Sequence, residues 1–274
     1  MPELPEVETF RLRFLHGTGD VPALVGKKIA GASVLWEKTL VTPSIKAFIA
    51  RIEGQKIEDM DRRGKYLIFK LTQDDLVIHL RMSGDLVLEA QSDPIAKHHR
   101  LLIELEGGLR LAFNDTRKFG RVWLLEDCQS LFSALGPEPL DENFTPETLY
   151  GMLQEVHRQI KPLLLDQHFV AGMGNIYCDE ALYLAGIHPM TKSDALNRKQ
   201  AASLWKAIQT VLREGILRNG SSIDWVYRGG DFQNYFQVFR RTGEDCYRCG
   251  SPIERIIVGS RSTHICPTCQ PEIS

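Results

Sequence analysis

Several signals that assign a sequence to a class at once are missing here. The chain has no apolar run of about 18 residues that could span a membrane and no basic-then-apolar leader at its start. It has no surplus of basic residues either, since its net charge is −2 and both halves are nearly balanced. Repeats and low-complexity segments are also absent. These absences exclude an integral membrane protein and a wholly basic nucleic-acid-binding domain, and they predict a cytoplasmic globular protein.

Cysteine is scarce, but four of the six cysteines follow a pattern. Cys246 and Cys249 form one C-x2-C pair, and Cys266 and Cys269 form a second pair sixteen residues later. This spacing is typical of a structural zinc site with four thiolate ligands. Two disulfides or four unrelated thiols are the alternatives, and a reducing cytoplasm disfavours the disulfides. The pattern predicts one structural Zn²⁺, and we expect no organic cofactor.

The opening residues Met1-Pro2-Glu3 permit an unusual nucleophile. Methionine before a small residue such as proline is normally removed, which would leave Pro2 with a free secondary amine. Such an amine attacks electrophilic carbon as lysine does in Schiff-base chemistry, and an α-amino pKa of about 7.7–8.0 keeps part of it neutral at physiological pH. Glu3 could transfer protons beside it. The alternative is that a Met-Pro start has no functional meaning.

Residue patterns predict one helix followed by many short strands. Pro5 suits the first position of a helix that runs to about His16. Short apolar segments between Gly, Asp and Asn turns then continue to Leu125 and are typical of an antiparallel sandwich or barrel. The predicted strands are 32–36, 66–71, 76–80, 85–89, 100–105, 109–113 and 121–125.

The second half of the chain is predicted to be helical. A linker rich in proline and glycine occupies 136–140. Helices are expected over 145–158, from about Asn175, and over 193–219 in two pieces. A hairpin is expected between the two cysteine pairs.

These elements predict an α+β multidomain chain. We expect an N-terminal domain over 1–135, formed by an antiparallel β-sandwich with an N-terminal helix. A linker and helical domain is expected over 136–237, and a four-cysteine zinc finger with a β-hairpin over 238–274.

Four separated motifs occur together in this chain: Pro2-Glu3-Leu4-Pro5-Glu6, Arg63-Gly64-Lys65-Tyr66-Leu67, Gly172-Met173-Gly174-Asn175-Ile176-Tyr177 and the cysteine pairs. In combination they resemble the bacterial formamidopyrimidine-DNA glycosylases, the Fpg (MutM) branch of the Fpg/Nei family, over nearly the whole chain. The resemblance implies base-excision repair by a bifunctional DNA glycosylase (a hydrolase) and AP lyase. It also implies excision of formamidopyrimidines and 8-oxoguanine from damaged double-stranded DNA. By the same resemblance, 1–135 is the catalytic domain, and 136–237 is a helix-two-turn-helix DNA-binding domain with a lesion lid. A monomer that acts at the bacterial nucleoid is expected.

The resemblance also implies three catalytic residues. Pro2 attacks C1′ of the sugar and forms a Schiff base, Glu3 protonates the ring oxygen and moves protons during β,δ-elimination, and Lys65 binds phosphate beside the damage. Glu6 matches a further family carboxylate, with a plain helix N-terminal charge as the alternative. Without the resemblance, Lys65 is an ordinary solvated lysine at a strand end.

The remaining implied contacts are to DNA. A flipped nucleotide leaves a gap that a wedge must fill, and the matching wedge residues are Met82, Arg117 and Phe119, although Met and Phe are more often core residues. His79 matches a phosphate contact, although a strand histidine is more often packed. In the second half the implied contacts are Lys161 with the lesion, Asn175 with phosphate at a helix N-terminus, and Arg261 with phosphate on a hairpin that the zinc positions.

Two other functions remain open at this point. A non-catalytic DNA-damage-binding protein on the same scaffold would be favoured by retention of Met1. A zinc-ribbon RNA-binding protein or transcription factor explains the cysteines but not the Pro-Glu start. The chain also departs from the family pattern: Arg100 stands where many relatives have histidine, and Ser222–Gly230 reads as shorter. The shorter segment predicts a preference for formamidopyrimidines over 8-oxoguanine.

Overall fold

The chain is described by a computed structural model over residues 1–19, 21–222 and 229–272. Two compact units are present, one built on Met1–Ser133 and the other on Ala134–Ser221 and Gly230–Ser274. None of the described helices is long and apolar enough to cross a membrane. The domain boundaries drawn from the sequence at 135 and 237 stay predictions.

The first unit contains three helices and nine strands among its described residues. In chain order they are α1 (Leu4–His16), β1 (Ile29–Val34), β2 (Leu40–Thr42), α2 (Ile45–Ile52), β3 (Ile57–Arg63), β4 (Tyr66–Leu71), β5 (Asp75–His79), β6 (Gly84–Ala90), β7 (His99–Leu105), β8 (Leu109–Asp115), β9 (Arg121–Leu125) and α3 (Gln129–Phe132).

The strands form two sheets, as the sandwich prediction requires. One sheet has the order β1-β7-β8-β6, and the other has the order β2-β9-β5-β4-β3. One core joins both sheets, because Ile103 and Phe113 of the first sheet and Phe69 and Val122 of the second are buried in the same cluster. All pairings are antiparallel except that of β2 with β9, so the sandwich prediction is confirmed with one parallel edge pair.

The pattern of apolar residues missed four elements of this unit: β2, β3, α2 and the four-residue helix α3. β2 has three residues, which is too few to show alternation. β3 carries charged residues at most positions and buries only Ile57 and Met60. α1 packs against β3 and β4, and Arg62 of β3 donates to Glu8 of α1. α2 lies within a stretch that was read as strand-rich, although Ser44 caps it by accepting a hydrogen bond from the Ala47 amide.

The second unit contains four helices of six residues or more and one hairpin among its described residues. They are α4 (Pro146–Gln154), α5 (Ile160–Leu165), α6 (Asn175–Ala185), α7 (Arg198–Leu217), β10 (Glu254–Val258) and β11 (Arg261–Ile265). The finger hairpin turns at Gly259 and Ser260, which both have positive φ, as a two-residue primed turn requires.

The helix predicted over 145–158 is wrong at its end. α4 starts as expected, with Thr145 accepting a hydrogen bond from the Thr148 amide, but it stops at Gln154. A separate helix, α5, follows from Ile160. The backbone between the two helices bonds elsewhere, because the Arg158 carbonyl accepts from the Ser193 amide and the Ile160 amide donates to the Thr191 carbonyl. The predicted two-piece helix over 193–219 is confirmed as a short 3₁₀ turn followed by α7.

Candidate functional site

The N-terminus of α1 holds the first two candidate residues. Pro2 and Glu3 are buried, and Pro5 lies in the first turn. Glu3 and Glu6 form a capping box in which each side chain accepts a hydrogen bond from the other's backbone amide, and the distance from the Glu3 amide to Glu6 Oε2 is 2.8 Å. Glu6, which the sequence left with two interpretations, therefore fixes the backbone at Glu3 by hydrogen bonding.

A side-chain link ties α1 to the turn that carries Lys65. Glu8 Oε2 accepts from Arg62 Nε at 3.0 Å, and Arg62 Nη1 donates to the Gly64 carbonyl at 3.1 Å. Burial opposes ionisation of Glu8, but hydrogen bonds from Arg11 and Arg62 and their charges outweigh it and lower the Glu8 pKa. Helix α1, which Glu3 caps, is thus connected to the turn that carries the buried Lys65.

His79 lies beside this turn because of the strand register. It ends β5 and pairs with Tyr66 at the start of β4 and with Arg121 at the start of β9. Burial, followed by the positive charges of Arg81 and Lys65, lowers the pKa of His79 to about 3. Its Nδ1 accepts from the Arg81 amide at 3.0 Å, so the single ring proton is on Nε2. His79 is therefore a neutral N–H donor at physiological pH.

The three wedge candidates lie on two loops of the same unit. Met82 follows β5 and is 43% exposed, and Phe119 precedes β9 and is 45% exposed. Arg117 is also exposed, and its guanidinium carbon lies 5.0 Å from the centre of the Phe119 ring. Met82 and Phe119 are therefore accessible to a binding partner. The alternative that Met82 and Phe119 are core residues is wrong.

Lys161 does not lie where a direct lesion contact was expected. Its side chain is fully buried, and its ammonium forms an ion pair with Asp179 Oδ1 at 2.6 Å. It also donates to Thr263 Oγ1 at 2.7 Å and to the Ser262 carbonyl at 3.1 Å. The ammonium thus donates to two consecutive residues of β11 and pairs its charge with Asp179. Within the second unit, Lys161 holds the finger strand β11 against α6.

Asn175 and Arg261 occupy the neighbouring edge of the second unit. Asn175 is the first residue of α6, and its Nδ2 donates to the Ser262 carbonyl at 3.0 Å. A side-chain amide has two N–H donors, so one remains for an anion at the helix N-terminus. Arg261 is exposed at the start of β11, directly after the hairpin turn. A Cβ on Gly259 would lie 2.8 Å from Pro162 Cγ, which shows how closely this turn is seated.

The four cysteines come together as the spacing predicted. Their sulfur atoms all lie within 4.8 Å of one another, with Cys246 Sγ 3.9 Å from Cys269 Sγ and Cys249 Sγ 3.4 Å from Cys266 Sγ. A tetrahedral zinc site with Zn–S bonds of about 2.3 Å has sulfur separations of about 3.8 Å. The donor set and its dimensions therefore fit one structural Zn²⁺.

The base of the finger is attached to α6 through Tyr183. The Tyr183 hydroxyl lies 3.2 Å from Cys246 Sγ. Arg248 Nη1 donates to the Tyr183 carbonyl at 3.0 Å, and the guanidinium lies over the Tyr183 ring. Such contacts to a ligand sulfur orient the ligand, so the finger cannot rotate freely on the helical part of its unit.

Family models match three consecutive stretches of the chain. The formamidopyrimidine-DNA glycosylase N-terminal domain matches residues 1–122, its H2TH domain matches residues 135–226, and a zinc finger found in FPG and IleRS matches residues 243–271. The chain belongs to the formamidopyrimidine-DNA glycosylase family.

Individual relatives agree over the whole length. The formamidopyrimidine-DNA glycosylase of Chloroflexus aurantiacus is 47% identical over 278 residues, covering 98% of each chain. Wild-type Lactococcus lactis Fpg (MutM), solved with DNA containing N7-benzyl-Fapy-dG, is 38% identical with a TM-score of 0.91, covering 99% of this chain and 100% of that one. A MutM structure with DNA containing carbocyclic 8-oxo-G has the same identity, TM-score and coverage.

Membership of the formamidopyrimidine-DNA glycosylase family confirms the predicted fold class and the predicted class of enzyme, a bifunctional DNA glycosylase and AP lyase. The match to the finger model confirms the structural zinc prediction together with the four-cysteine geometry. The roles of the individual site residues stay predictions.

Two buried acids on α6, Asp179 and Glu180, support the second unit although no sequence pattern assigned them a role. Asp179 pairs with Lys161, and its Oδ2 accepts from the His264 amide at 3.0 Å. Glu180 accepts from three consecutive amides, those of residues 237–239, at 2.8 to 3.0 Å. Burial raises the pKa of Glu180, while these bonds act in the opposite direction. Two adjacent acids on the apolar helix α6 were the available signal.

We expect replacement of Cys249 by serine to remove the metal, because a tetrahedral thiolate site loses a ligand. The parent protein should contain about one zinc per chain, and Cys249→Ser should contain much less and bind DNA more weakly. Elemental analysis and a binding titration measure the two effects. Cys128→Ser, at a cysteine of the first unit, is the matched control and should keep its zinc. An unchanged zinc content in Cys249→Ser would contradict the assignment.

We expect His79 and Arg261 to differ in the salt dependence of DNA binding. Arg261→Gln removes a charge, so the slope of log affinity against log salt should fall by about one. His79→Ala removes a neutral donor, so affinity should fall by about 1 kcal/mol with the slope unchanged. The His79 contribution should also be constant between about pH 5 and pH 8, where an ordinary histidine titrates. A loss of slope in His79→Ala would show that this histidine binds DNA as a cation.

Proposed function

We propose that this glycosylase excises oxidised purines, formamidopyrimidines and 8-oxoguanine, from duplex DNA and then cuts the strand through a Schiff base on Pro2. The observation that carries the proposal is the buried Pro2-Glu3 pair at a capped helix N-terminus, in a chain of this family. The lesions in DNA bound by the solved relatives support the substrate class.

The reaction begins with the amine of Pro2 after Met1 has been removed. The nitrogen attacks C1′ of the flipped nucleotide, a C–N bond forms, and the bond from C1′ to the damaged base breaks. Glu3 protonates the sugar ring oxygen, so the ring opens and the Pro2 nitrogen becomes an iminium. The base leaves with the electron pair of the broken bond and gains a proton.

The iminium then drives strand cleavage, because it accepts the electrons released when C2′ loses a proton. The 3′ phosphate leaves in this β-elimination, and the 5′ phosphate leaves in a second, δ-elimination. Water releases Pro2 from the remaining sugar fragment. Glu3 carries protons between these steps, and its carboxylate has enough lone pairs to do so while it also caps α1. The zinc is structural and takes part in none of these steps.

The other residues of the first unit position the DNA in this proposal. Lys65 attracts the phosphate beside the damage by charge, and His79 donates a neutral hydrogen bond to a phosphate. Met82, Arg117 and Phe119 fill the gap left by the flipped base, with Arg117 able to hydrogen-bond the orphaned partner base.

The second unit contributes further phosphate contacts through Asn175 and Arg261. Lys161 affects lesion processing indirectly in this proposal, because its buried ammonium is paired with Asp179 and donates to Ser262 and Thr263 in the strand that begins with Arg261. We further propose that the protein acts as a monomer in the cytoplasm, at the nucleoid of a bacterial cell.

We expect Pro2 and Glu3 to be separable by trapping. Borohydride should cross-link the trimmed protein to DNA that contains 8-oxoguanine opposite cytosine, and Pro2→Gly should largely abolish the cross-link. Glu3→Gln should slow base release by about 10²–10⁴-fold, the usual contribution of a general acid, while it still binds damaged DNA. Gel analysis of trapped and cleaved strands measures both effects.

The form with Met1 retained distinguishes the enzyme from the alternative, a non-catalytic DNA-damage-binding protein on the same scaffold. Its Pro2 nitrogen is an amide, which is not nucleophilic, so this form should bind damaged DNA without cleaving it. Normal glycosylase activity with Met1 confirmed by intact mass would refute the role of Pro2. A trimmed protein that binds but never cleaves would favour the alternative.

We expect formamidopyrimidines to be excised faster than 8-oxoguanine. The predicted short segment is the reason, although residues 223–228 of it lie outside the described residues. A shorter lid contacts less of the flipped base, and a ring-opened base, which stacks poorly, is easier to flip without such contacts. Single-turnover rates on both lesions and on an abasic site measure the preference.

Tyr235→Ala is the informative variant for this prediction. Tyr235 is 42% exposed, whereas Phe232 is buried and stacked on Tyr177 at 5.2 Å, so changing Phe232 would disturb the core. A clear preference for 8-oxoguanine that Tyr235→Ala does not alter would contradict the lid argument.

A further inference from the structure

Asp115 is a buried carboxylate that the proposed chemistry does not use. It ends β8 and is 0% exposed. No catalytic or phosphate-binding role was assigned to it, and a buried carboxylate persists only where hydrogen bonds or charges compensate its burial. Its partners therefore indicate what it does.

The carboxylate of Asp115 connects the two loops that display the wedge. Oδ1 accepts from the Ser83 hydroxyl and, at 3.1 Å, from the Arg117 amide. Oδ2 accepts from the Gly120 amide at 2.7 Å. Ser83 immediately follows Met82, and its hydroxyl also accepts from the Arg117 amide at 3.1 Å. One side chain thus links the Met82 loop to both ends of the segment that carries Arg117 and Phe119.

The backbone of both loops requires such a link. Arg81 and Lys118 adopt positive φ angles of 54° and 63°, which are unfavourable for residues with a Cβ and persist only when their surroundings hold them. Gly120 permits the close approach, because a Cβ there would lie 2.2 Å from the Phe113 ring and 3.2 Å from Asp115 Oδ2. The loops are therefore held in one arrangement before any DNA is bound.

Arg100 supports the backbone of Asp115 by hydrogen bonding. Its Nε donates to the Asp115 carbonyl at 2.7 Å, and the Asp115 amide donates to the His98 carbonyl at 2.9 Å. Arg100 is the position at which the sequence departs from the family pattern, so the departure still serves the wedge loops.

We propose that Asp115 is the positioning residue of the wedge: it preorganises Met82, Arg117 and Phe119 on two loops so that they enter the duplex together when the damaged nucleotide leaves it. The inference rests on the proposed function, because it presumes that the three side chains fill the gap. An ordered wedge lowers the entropy lost on insertion, whereas loops freed from the carboxylate must be ordered during each insertion.

Asp115→Asn is the sharpest test, because it keeps the size of the side chain but removes an acceptor oxygen and the charge. Insertion is followed by the fluorescence of a 2-aminopurine beside the orphaned base, and excision by single-turnover rates on a lesion in duplex DNA. Cleavage of an abasic site in single-stranded DNA, which requires no flipping, reports the chemistry alone. Asp74→Asn is the matched control, since Asp74 is equally buried in the same unit but accepts from Arg51 and Gln55.

Asp115→Asn should slow insertion and duplex excision by about 10- to 100-fold, the scale of misplaced binding groups, and should leave single-strand cleavage unchanged. Asp74→Asn should change neither the insertion rate nor the duplex excision rate relative to the rate of single-strand cleavage. An unchanged ratio of duplex to single-strand rates in Asp115→Asn would overturn the proposal, and so would an equal loss of both in a folded protein. Failure of the parent protein both to excise the lesion from duplex DNA and to cleave an abasic site would instead refute the proposed function.

Ser83→Ala keeps the test decisive if Asp115→Asn does not fold. It removes the bridge between the Met82 loop and the Arg117 amide but leaves Asp115 bonded to Gly120. It should slow insertion less than Asp115→Asn does, and it should also leave single-strand cleavage unchanged. A Ser83→Ala protein with parental insertion rates would overturn the proposal.

Discussion

The buried ion pair between Lys161 and Asp179 is the interaction that holds the edge of the second unit on which Asn175 and Arg261 lie. Neither side chain is exposed, and leaving either charge buried alone would be strongly unfavourable. Because the pair and its hydrogen bonds connect α5, α6 and β11, these elements hold the hairpin turn and Arg261 in place. The zinc fixes the far end of the hairpin, and the ion pair fixes the middle.

In the first unit, too, buried charged side chains hold the candidate residues in place. Glu3 and Glu6 cap α1, Glu8 and Arg62 tie that helix to the turn of Lys65, and the strand register brings His79 to the same end of the sheet. At the cap of α1 and at the Glu8–Arg62 contact, carboxylates shielded from water fix backbone amides or guanidinium groups. Rigid support of this kind matters because catalytic and binding groups lose effectiveness steeply when they are misplaced.

The fold class, the zinc site and the family could be predicted from the sequence because each leaves a local signature. Cysteine spacing, strand alternation and the Pro-Glu start are properties of short segments. The burial of Lys161 could not be predicted in the same way, because Asp179 and Thr263 are distant in sequence and meet only in the folded unit. The end of α4 was missed because the residues that follow it bond to the backbone of Thr191 and Ser193, which are distant in sequence. The neutral state of His79 depends on its burial and on the nearby charges of Arg81 and Lys65, which no spacing reveals.

Because His79 is neutral, its proposed part in binding a lesion differs from that of the charged residues. In the proposed contacts, the charges of Lys65 and Arg261 act over the screening length of the solution, so they would draw the protein to any stretch of DNA and let it slide. A neutral donor such as His79 or the Asn175 amide contributes only when a phosphate oxygen is within hydrogen-bonding distance. Residence on undamaged DNA can therefore stay short while the complex at a correctly seated lesion is longer-lived. A search through a long excess of normal sequence requires that separation.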